Sequence, residues 1–297
     1  MAFIIDEKSN VIVQGITGRE GSARARYMLE YGTRVIAGVT PGKGGSEVWG
    51  IPVYDSVREI VEEYGKIDVS AIFVPGPLAK NAAVEAIENG VKTIIMCVER
   101  VPLHDTLYIV AKAKKEGCRI IGPGSLGVIS PDKAVVGWIG GDADTAKEVF
   151  KPGNVAVISR SGGQTTTISW VLSKSGIGIS TAVHTGTEPI LGTSLPEYVL
   201  MANEDKETDC IVIWGEIGGI AEEETAEVIR EYGVNKQVIA YIAGATLPSG
   251  IRFSHASAIV EGRRGSYESK RSALERVGAI VVDSPREIVD RVREVLS

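Results

Sequence analysis

The chain has 297 residues, 44% of them apolar, 24% charged and 6% aromatic, with a formal net charge of −6 at neutral pH. That length suits two domains, each with its own core, and the excess of Val, Ile, Ala and Gly is that of α/β folds. The mixed, slightly acidic charge leaves no basic field for nucleic acid, and no apolar run is long enough for a membrane span.

Taken from the start, Met1-Ala2-Phe3-Ile4-Ile5-Asp6 lacks the features of a secretory signal, so a cytoplasmic location is expected. Short Val/Ile-rich runs then alternate with amphipathic stretches, which predicts βαβ units and parallel sheets. Strands are expected at 11–14, 34–39, 69–74, 93–98 and 119–121, with helices between them. The first strand leads into Gly15-Ile16-Thr17-Gly18-Arg19-Glu20-Gly21, where a Rossmann fold receives a pyrophosphate. Its spacing departs from G-x-G-x-x-G, because Thr17 and Glu20 stand where the second and third glycines belong.

At the end of the second strand an NAD enzyme needs an acid for the ribose hydroxyl, and this chain has Thr40-Pro41-Gly42-Lys43-Gly44-Gly45. Lys43 suits a phosphorylated ribose, that of NADP or of coenzyme A. The alternative is a glycine-rich turn with a solvated lysine. Ser56-Val57-Arg58-Glu59 has the form of a capping box opening a helix. Two further strand-end loops, around Pro75 and around Glu99, are placed to line the same crevice. Cys97, Cys118 and Cys210 lie at the edges of apolar runs with no metal-ligand spacing, as reduced and mostly buried thiols. His104, at a helix start, needs only a capping or solvated role.

The pattern loosens after Gly122-Pro123-Gly124 and restarts at Lys151-Pro152-Gly153. The boundary is placed within that stretch, giving domains 1–130 and 131–297. Strands follow at 155–159, 179–183, 210–214, 238–242 and 279–282, and Ser284-Pro285-Arg286-Glu287 is expected to start a closing helix.

Three glycine-rich strand ends crowd this half: Ser161-Gly162-Gly163, Gly215-Glu216-Ile217-Gly218-Gly219, and the run from Gly244 to His255. Strand C-termini and helix N-termini of an open α/β sheet face one crevice, where free N–H groups favour an anion. A neutral imidazole there is a nucleophile toward phosphorus, and Glu216 could fix its tautomer by accepting from one ring N–H. The alternative for His255 is a satisfied loop histidine. His184, at another strand end, is expected to have a hydrogen-bonding or structural role. With no Cys/His cluster, no protein-held metal is expected.

Gln14-Gly15-Ile16-Thr17-Gly18, the run from Gly38 to Gly45, Ser159-Arg160-Ser161-Gly162, the run from Gly215 to Glu224, and His255-Ala256 occur in that order. In these motifs, and over essentially its whole length, the chain resembles the α subunits of succinyl-CoA synthetase, the NDP-forming succinate–CoA ligases. The resemblance implies an α/β architecture: an N-terminal Rossmann-like CoA-binding domain followed by a flavodoxin-like, doubly wound parallel-sheet ligase domain. It implies CoA contacts at Thr17, Gly18, Arg19, Glu20, Lys43, Cys97, Val98 and Glu99, with Pro75 lining the same crevice. His255 would be the phosphorylated histidine and Glu216 its partner. Ser161, Gly162, Gly163, Thr166, Gly218 and Gly219 would surround the phosphate and the acid. A β subunit, in an αβ or α2β2 assembly, would bind ATP or GTP with Mg2+, since no P-loop is evident here.

Departures from the family pattern fall near the acid and phosphate sites. Ser254 and Ser257 replace glycines around His255, Gly124-Ser125-Leu126 stands in the Gly-Pro-Asn-Cys-Pro-Gly turn, Thr166 and Thr167 replace a tyrosine and an acid, and His184-Thr185-Gly186-Thr187-Glu188-Pro189 replaces a Gly-Ile-Gly-Gly-Asp-Pro turn. Succinate is the default acid and another dicarboxylate such as malate the near variant. An NADP oxidoreductase and a CoA-binding protein without catalysis are the rival classes.

Overall fold

A computed structural model of the chain describes residues 3–245 and 264–297, so His255 lies outside the described residues. Two compact units are present. The first comprises Ile4–Lys147 with Ile190–Thr193, and the second comprises Glu148–Pro189 and Ser194–Ser297 together with the first three residues.

In the first unit β1 (Val11–Gln14), β2 (Val35–Val39), β3 (Glu47–Val48), β4 (Ile51–Tyr54), β5 (Val69–Ile72), β6 (Thr93–Met96) and β7 (Arg119–Ile121) lie in the order β3-β4-β2-β1-β5-β6-β7. Every pairing is parallel except β3 with β4. Central parallel strands are covered on both faces, so β1, β5 and β6 are buried along their whole length. Gln14 is buried among them at no hydrogen-bonding loss: its Oε1 accepts from Ser70 Oγ at 2.7 Å and its Nε2 donates to Ala82 O at 2.9 Å. The helices are α1 (Arg19–Tyr31), α2 (Val57–Tyr64), α3 (Ala79–Glu88) and α4 (Leu103–Glu116). Ala79, Ala83 and Ala86 of α3 pack into the same core as Ile12, Ile72 and Ile94. The chain passes from β1 to β2 on one side and returns to β5 on the other, which opens a crevice beyond the C-termini of β1 and β5.

The two units part at 147/148, later than the expected 130/131. The cause is a hairpin, β8 (Gly127–Ser130) with β9 (Ala134–Gly137), and its connections back to α1. Thr33 Oγ1 donates to Val135 O at 2.7 Å and accepts from Val135 N at 2.9 Å, Tyr27 Oη donates to Ile139 O, and Lys147 Nζ donates to Glu30 O at 3.2 Å. Residues 131–147, including the start of α5 (Ala143–Val149), therefore belong with the first unit.

In the second unit β10 (Pro152–Ser159), β11 (Ile179–His184), β12 (Cys210–Glu216), β13 (Gln237–Ala243) and β14 (Ile280–Val282) run parallel in the order β14-β13-β12-β10-β11. The helices are α6 (Gly162–Lys174), α7 (Leu195–Glu204), α8 (Ala221–Tyr232), α9 (Tyr267–Glu275) and α10 (Glu287–Leu296). Here α10 starts two residues after Pro285, because the Ser284 carbonyl and hydroxyl take the Glu287 and Arg286 N–H groups into a turn first. The switch point falls between β10 and β12, where Ser159 pairs in register with Trp214.

Candidate functional site

In the first unit, the loop from Gly15 to Gly21 is shaped by backbone contact. Gly15 has φ +87°, and a Cβ on Gly21 would lie 2.1 Å from the Gly15 carbonyl oxygen. A Cβ on Gly38 of β2 would lie 2.3 Å from the Ile16 side chain. Only glycine lets α1 begin this close to the β1 exit. Two cavities adjoin the loop. One, of about 640 Å³, is lined by Thr17, Gly18, Pro75, Asp55 and Glu85 among others. Burial raises the Glu85 carboxyl above its ordinary range, against the pull of the Val57 N–H that it accepts at 2.7 Å.

The second cavity, of about 650 Å³, is lined by Gly18, Arg19, Glu20, Pro75, Cys97, Val98 and Glu99. Eight of the nine residues expected to contact CoA thus line one cavity or the other. Lys43 lines neither: it is exposed in the turn whose Pro41 lines the first. Burial pushes the Cys97 thiol up to about 12, so it stands in this wall un-ionised at neutral pH. Arg24 and Trp138 also line the second cavity. The Arg24 guanidinium lies 4.6 Å from the Trp138 ring centre and donates to Glu20 Oε2 at 3.0 Å.

In the second unit, the turns after β10 and β12 meet at the switch point. Helical bonding in α6 begins with Thr165 N donating to Ser161 O, which leaves the amides of Gly162 and Gly163 in the unbonded first turn. The Ser161 amide is taken by Ser159 Oγ at 3.0 Å. Gly218 and Gly219 have φ +89° and +59°, and the Gly218 amide is taken by Gly265 O at 2.8 Å. Thr166 is half-buried on the second turn of α6.

Glu216 ends β12 and is only 7% exposed. Its Oε1 lies 3.7 Å from Arg160 Nε, and its N–H donates to Glu222 Oε1 at 3.3 Å. Arg160 Nη2 donates to Glu188 O at 3.3 Å, and His184 Nε2 bonds Arg160 O at 3.1 Å. His184 therefore has the hydrogen-bonding role expected of it, buttressing the loop that carries Arg160. Two described residues, Ala243 and Gly265, also bond this turn. Ile217 N donates to Ala243 O at 3.0 Å, and Gly265 O holds the Gly218 amide.

A family model described as a CoA binding domain matches residues 6–99, and one described as a succinyl-CoA ligase like flavodoxin domain matches 152–294. Over 296 residues the chain is 47% identical to the alpha 2 subunit of the ADP-forming succinate–CoA ligase of Archaeoglobus fulgidus, covering 100% of both chains. The chain belongs to the family of succinate–CoA ligase α subunits. It is also 39% identical, over 99% of its length and 98% of the relative's, to a subunit of an ADP-forming sulfoacetate–CoA ligase from an Acholeplasma species. Members of the family are thus subunits of acid–CoA ligases, and the acid differs between them. CoA, and not NADP, is the ligand that the matched N-terminal domain is named for. Among solved structures, ATP citrate lyase from Methanosaeta concilii with (3S)-citryl-CoA has the same fold, with a TM-score of 0.89 at 22% identity. That match covers 99% of this chain and 51% of the lyase chain.

Sequence reasoning missed Arg160 and Glu222 beside the Gly215–Gly219 turn, and Arg24 and Trp138 in the first unit. Arg160 had a signal, since it directly follows a predicted strand end and could only point into the crevice or away from it. Trp138 had none, because it lies more than a hundred residues from Arg24 in a stretch without clear periodicity.

Proposed function

We propose that this chain is the α subunit of a cytoplasmic acid–CoA ligase that forms acyl-CoA from CoA, a small dicarboxylic acid and ATP or GTP, through a phosphohistidine at His255. The observation that carries the proposal is Glu216, a buried carboxylate at the end of β12 beside the sheet switch point, on the turn whose Ile217 and Gly218 bond Ala243 and Gly265. In the proposed cycle a ring nitrogen of His255 takes the terminal phosphoryl group from a nucleotide held with Mg2+ mainly by the partner β subunit. Glu216 accepts from the other ring N–H and stabilises the cationic ring. A carboxylate oxygen of the acid takes the phosphoryl group from His255, giving an acyl phosphate. The CoA sulfur then attacks the acyl carbon and phosphate leaves. The amides of Gly162 and Gly163 and the α8 N-terminus offer fixed positive ends to the moving charge, together with Ser161, Thr166, Gly218 and Gly219.

CoA is proposed to lie along the Gly15–Gly21 loop, with Thr17, Arg19 and Glu20 near its phosphates and Cys97, Val98 and Glu99 farther along the second cavity. Incubating the chain and its β partner with nucleotide labelled at the terminal phosphate should give acid-labile label on the chain. Retention of that label by His255→Asn would overturn the assignment.

Succinate is the default acid. A second acid is favoured by one observation: a relative at 39% identity is named for sulfoacetate, like succinate a small dianion, with a sulfonate in place of one carboxylate. A screen of succinate, malate and sulfoacetate for CoA-dependent phosphate release distinguishes them.

A further inference from the structure

The Glu216 turn is backed by a buried ammonium that the steps above do not use. Lys270, on α9, is 0% exposed, and Glu222 and Glu223, in the first turn of α8, are 4% and 6% exposed. Lys270 Nζ bonds Glu222 Oε2 and lies 3.5 Å from Glu223 Oε2. Each carboxylate gives its other oxygen to the backbone. Glu222 Oε1 accepts from Glu216 N–H at 3.3 Å, and Glu223 Oε1 accepts from Gly265 N–H at 2.8 Å. The Gly265 carbonyl in turn holds the Gly218 amide. Glycines leave room for these bonds and nothing larger: a Cβ on Gly215 would lie 2.4 Å from Glu222 Oε1, and one on Gly265 2.6 Å from Gly219 O.

Two carboxylates in a helix's first turn oppose an anion at that helix end, because their charge cancels the favourable dipole. Their burial is tolerable only beside a cation. Lys270 answers both requirements at once. We propose that Lys270 is a positioning residue of the phosphoryl-transfer turn: through Glu222 and Glu223 it holds the Glu216 and Gly265 amides, fixes the Gly215–Gly219 backbone, and offsets acids that would repel a phosphoryl group. This inference rests on the assignment of that turn to phosphoryl transfer.

The test uses the complex of this chain with its β partner. Glu222→Gln keeps the volume, but its single amide oxygen cannot serve both Lys270 and the Glu216 N–H, so one donor faces an NH2 group. Glu223→Gln creates the same conflict at Gly265. Glu224→Gln is the control, removing an equal charge from the same turn at an exposed residue. The first two variants should slow incorporation of labelled phosphate at least about tenfold. Their CoA affinity and melting temperature should stay near those of the wild type. Glu224→Gln should label within about twofold of it. Wild-type labelling rates in folded Glu222→Gln and Glu223→Gln overturn the inference, and so does equal slowing in Glu224→Gln. Loss of cooperative melting in both Gln variants also overturns it, since the cluster would then serve the fold at large and not the turn. A wild-type complex that takes no label fails the parent assignment instead, so the two failures are separable.

Discussion

The two glycine loops are shaped by different physics. The Gly15–Gly21 loop is a steric device: α1 starts where it does because Gly21 has no Cβ to meet the Gly15 carbonyl, and no buried charge takes part. The Gly215–Gly219 turn is an electrostatic device, in which glycines admit a carboxylate network centred on Lys270 and Arg160. Backbone packing shapes the first loop. Buried charges shape the second, where the proposed cycle would bring a phosphoryl group.

Crossed effects of mutations would break this contrast. The largest expected effect is that of Glu216→Gln, which removes the negative charge that faces Arg160 and that, in the proposed cycle, would stabilise the cationic imidazole. It should cut the rate of labelling at least on the order of a hundredfold and leave CoA affinity unchanged by titration calorimetry. Gly21→Ala should do the reverse, weakening CoA roughly ten- to a hundredfold through overpacking against Gly15 while labelling without CoA proceeds normally. A smaller effect is expected of Lys43→Met. An exposed lysine facing a ribose phosphate contributes about 0.2–1 kcal/mol, so affinity for CoA should fall by about fivefold or less, affinity for dephospho-CoA should not change, and added salt should erase the difference.

The smallest effect sharpens the contrast from the first unit, at Glu85, whose carboxyl burial raises. Its folded value lies above the ordinary 4.5, so the native state holds the proton more tightly than the unfolded chain. Stability should therefore fall as pH rises from the unfolded value through the raised one. Because the group is half-exposed, the loss is less than about 1 kcal/mol. Melting of Glu85→Gln should lack this slope, its advantage over wild type growing with pH. A constant difference across the range would exclude Glu85 as the cause.

Strand-level architecture was readable in the chain because central parallel strands must be apolar on both faces, and the runs at Val11, Val69 and Cys210 have no other use. The hairpin of β3 and β4 was not readable: its strands are short and broken by Gly50 and Pro52. Glu216 could be singled out because the apolar strand expected at 210–214 runs into it, and the structure places it at the end of β12. Lys270 was not, since a lysine in an amphipathic helix looks like a solvated one, and only its distant carboxylate partners show why it is buried. The Ser56 box was half right. Ser56 Oγ accepts from Glu59 N at 3.3 Å and donates to Glu59 Oε1 at 3.1 Å, but the backbone N–H that the Glu59 carboxylate takes is that of Asp55, at 3.2 Å, and not that of Ser56.

Residues 190–193 carry a consequence of their own. Although they lie in the second half of the sequence, Gly192 N donates to Gly122 O at 2.9 Å and Thr193 Oγ1 to Ile120 O at 2.7 Å, which makes them part of the first unit. The polypeptide therefore crosses between the units four times, at 3/4, 147/148, 189/190 and 193/194, and a single protease cut at 147/148 should release neither. A gene split at that point should yield two fragments that must re-thread this short stitch when they reassemble.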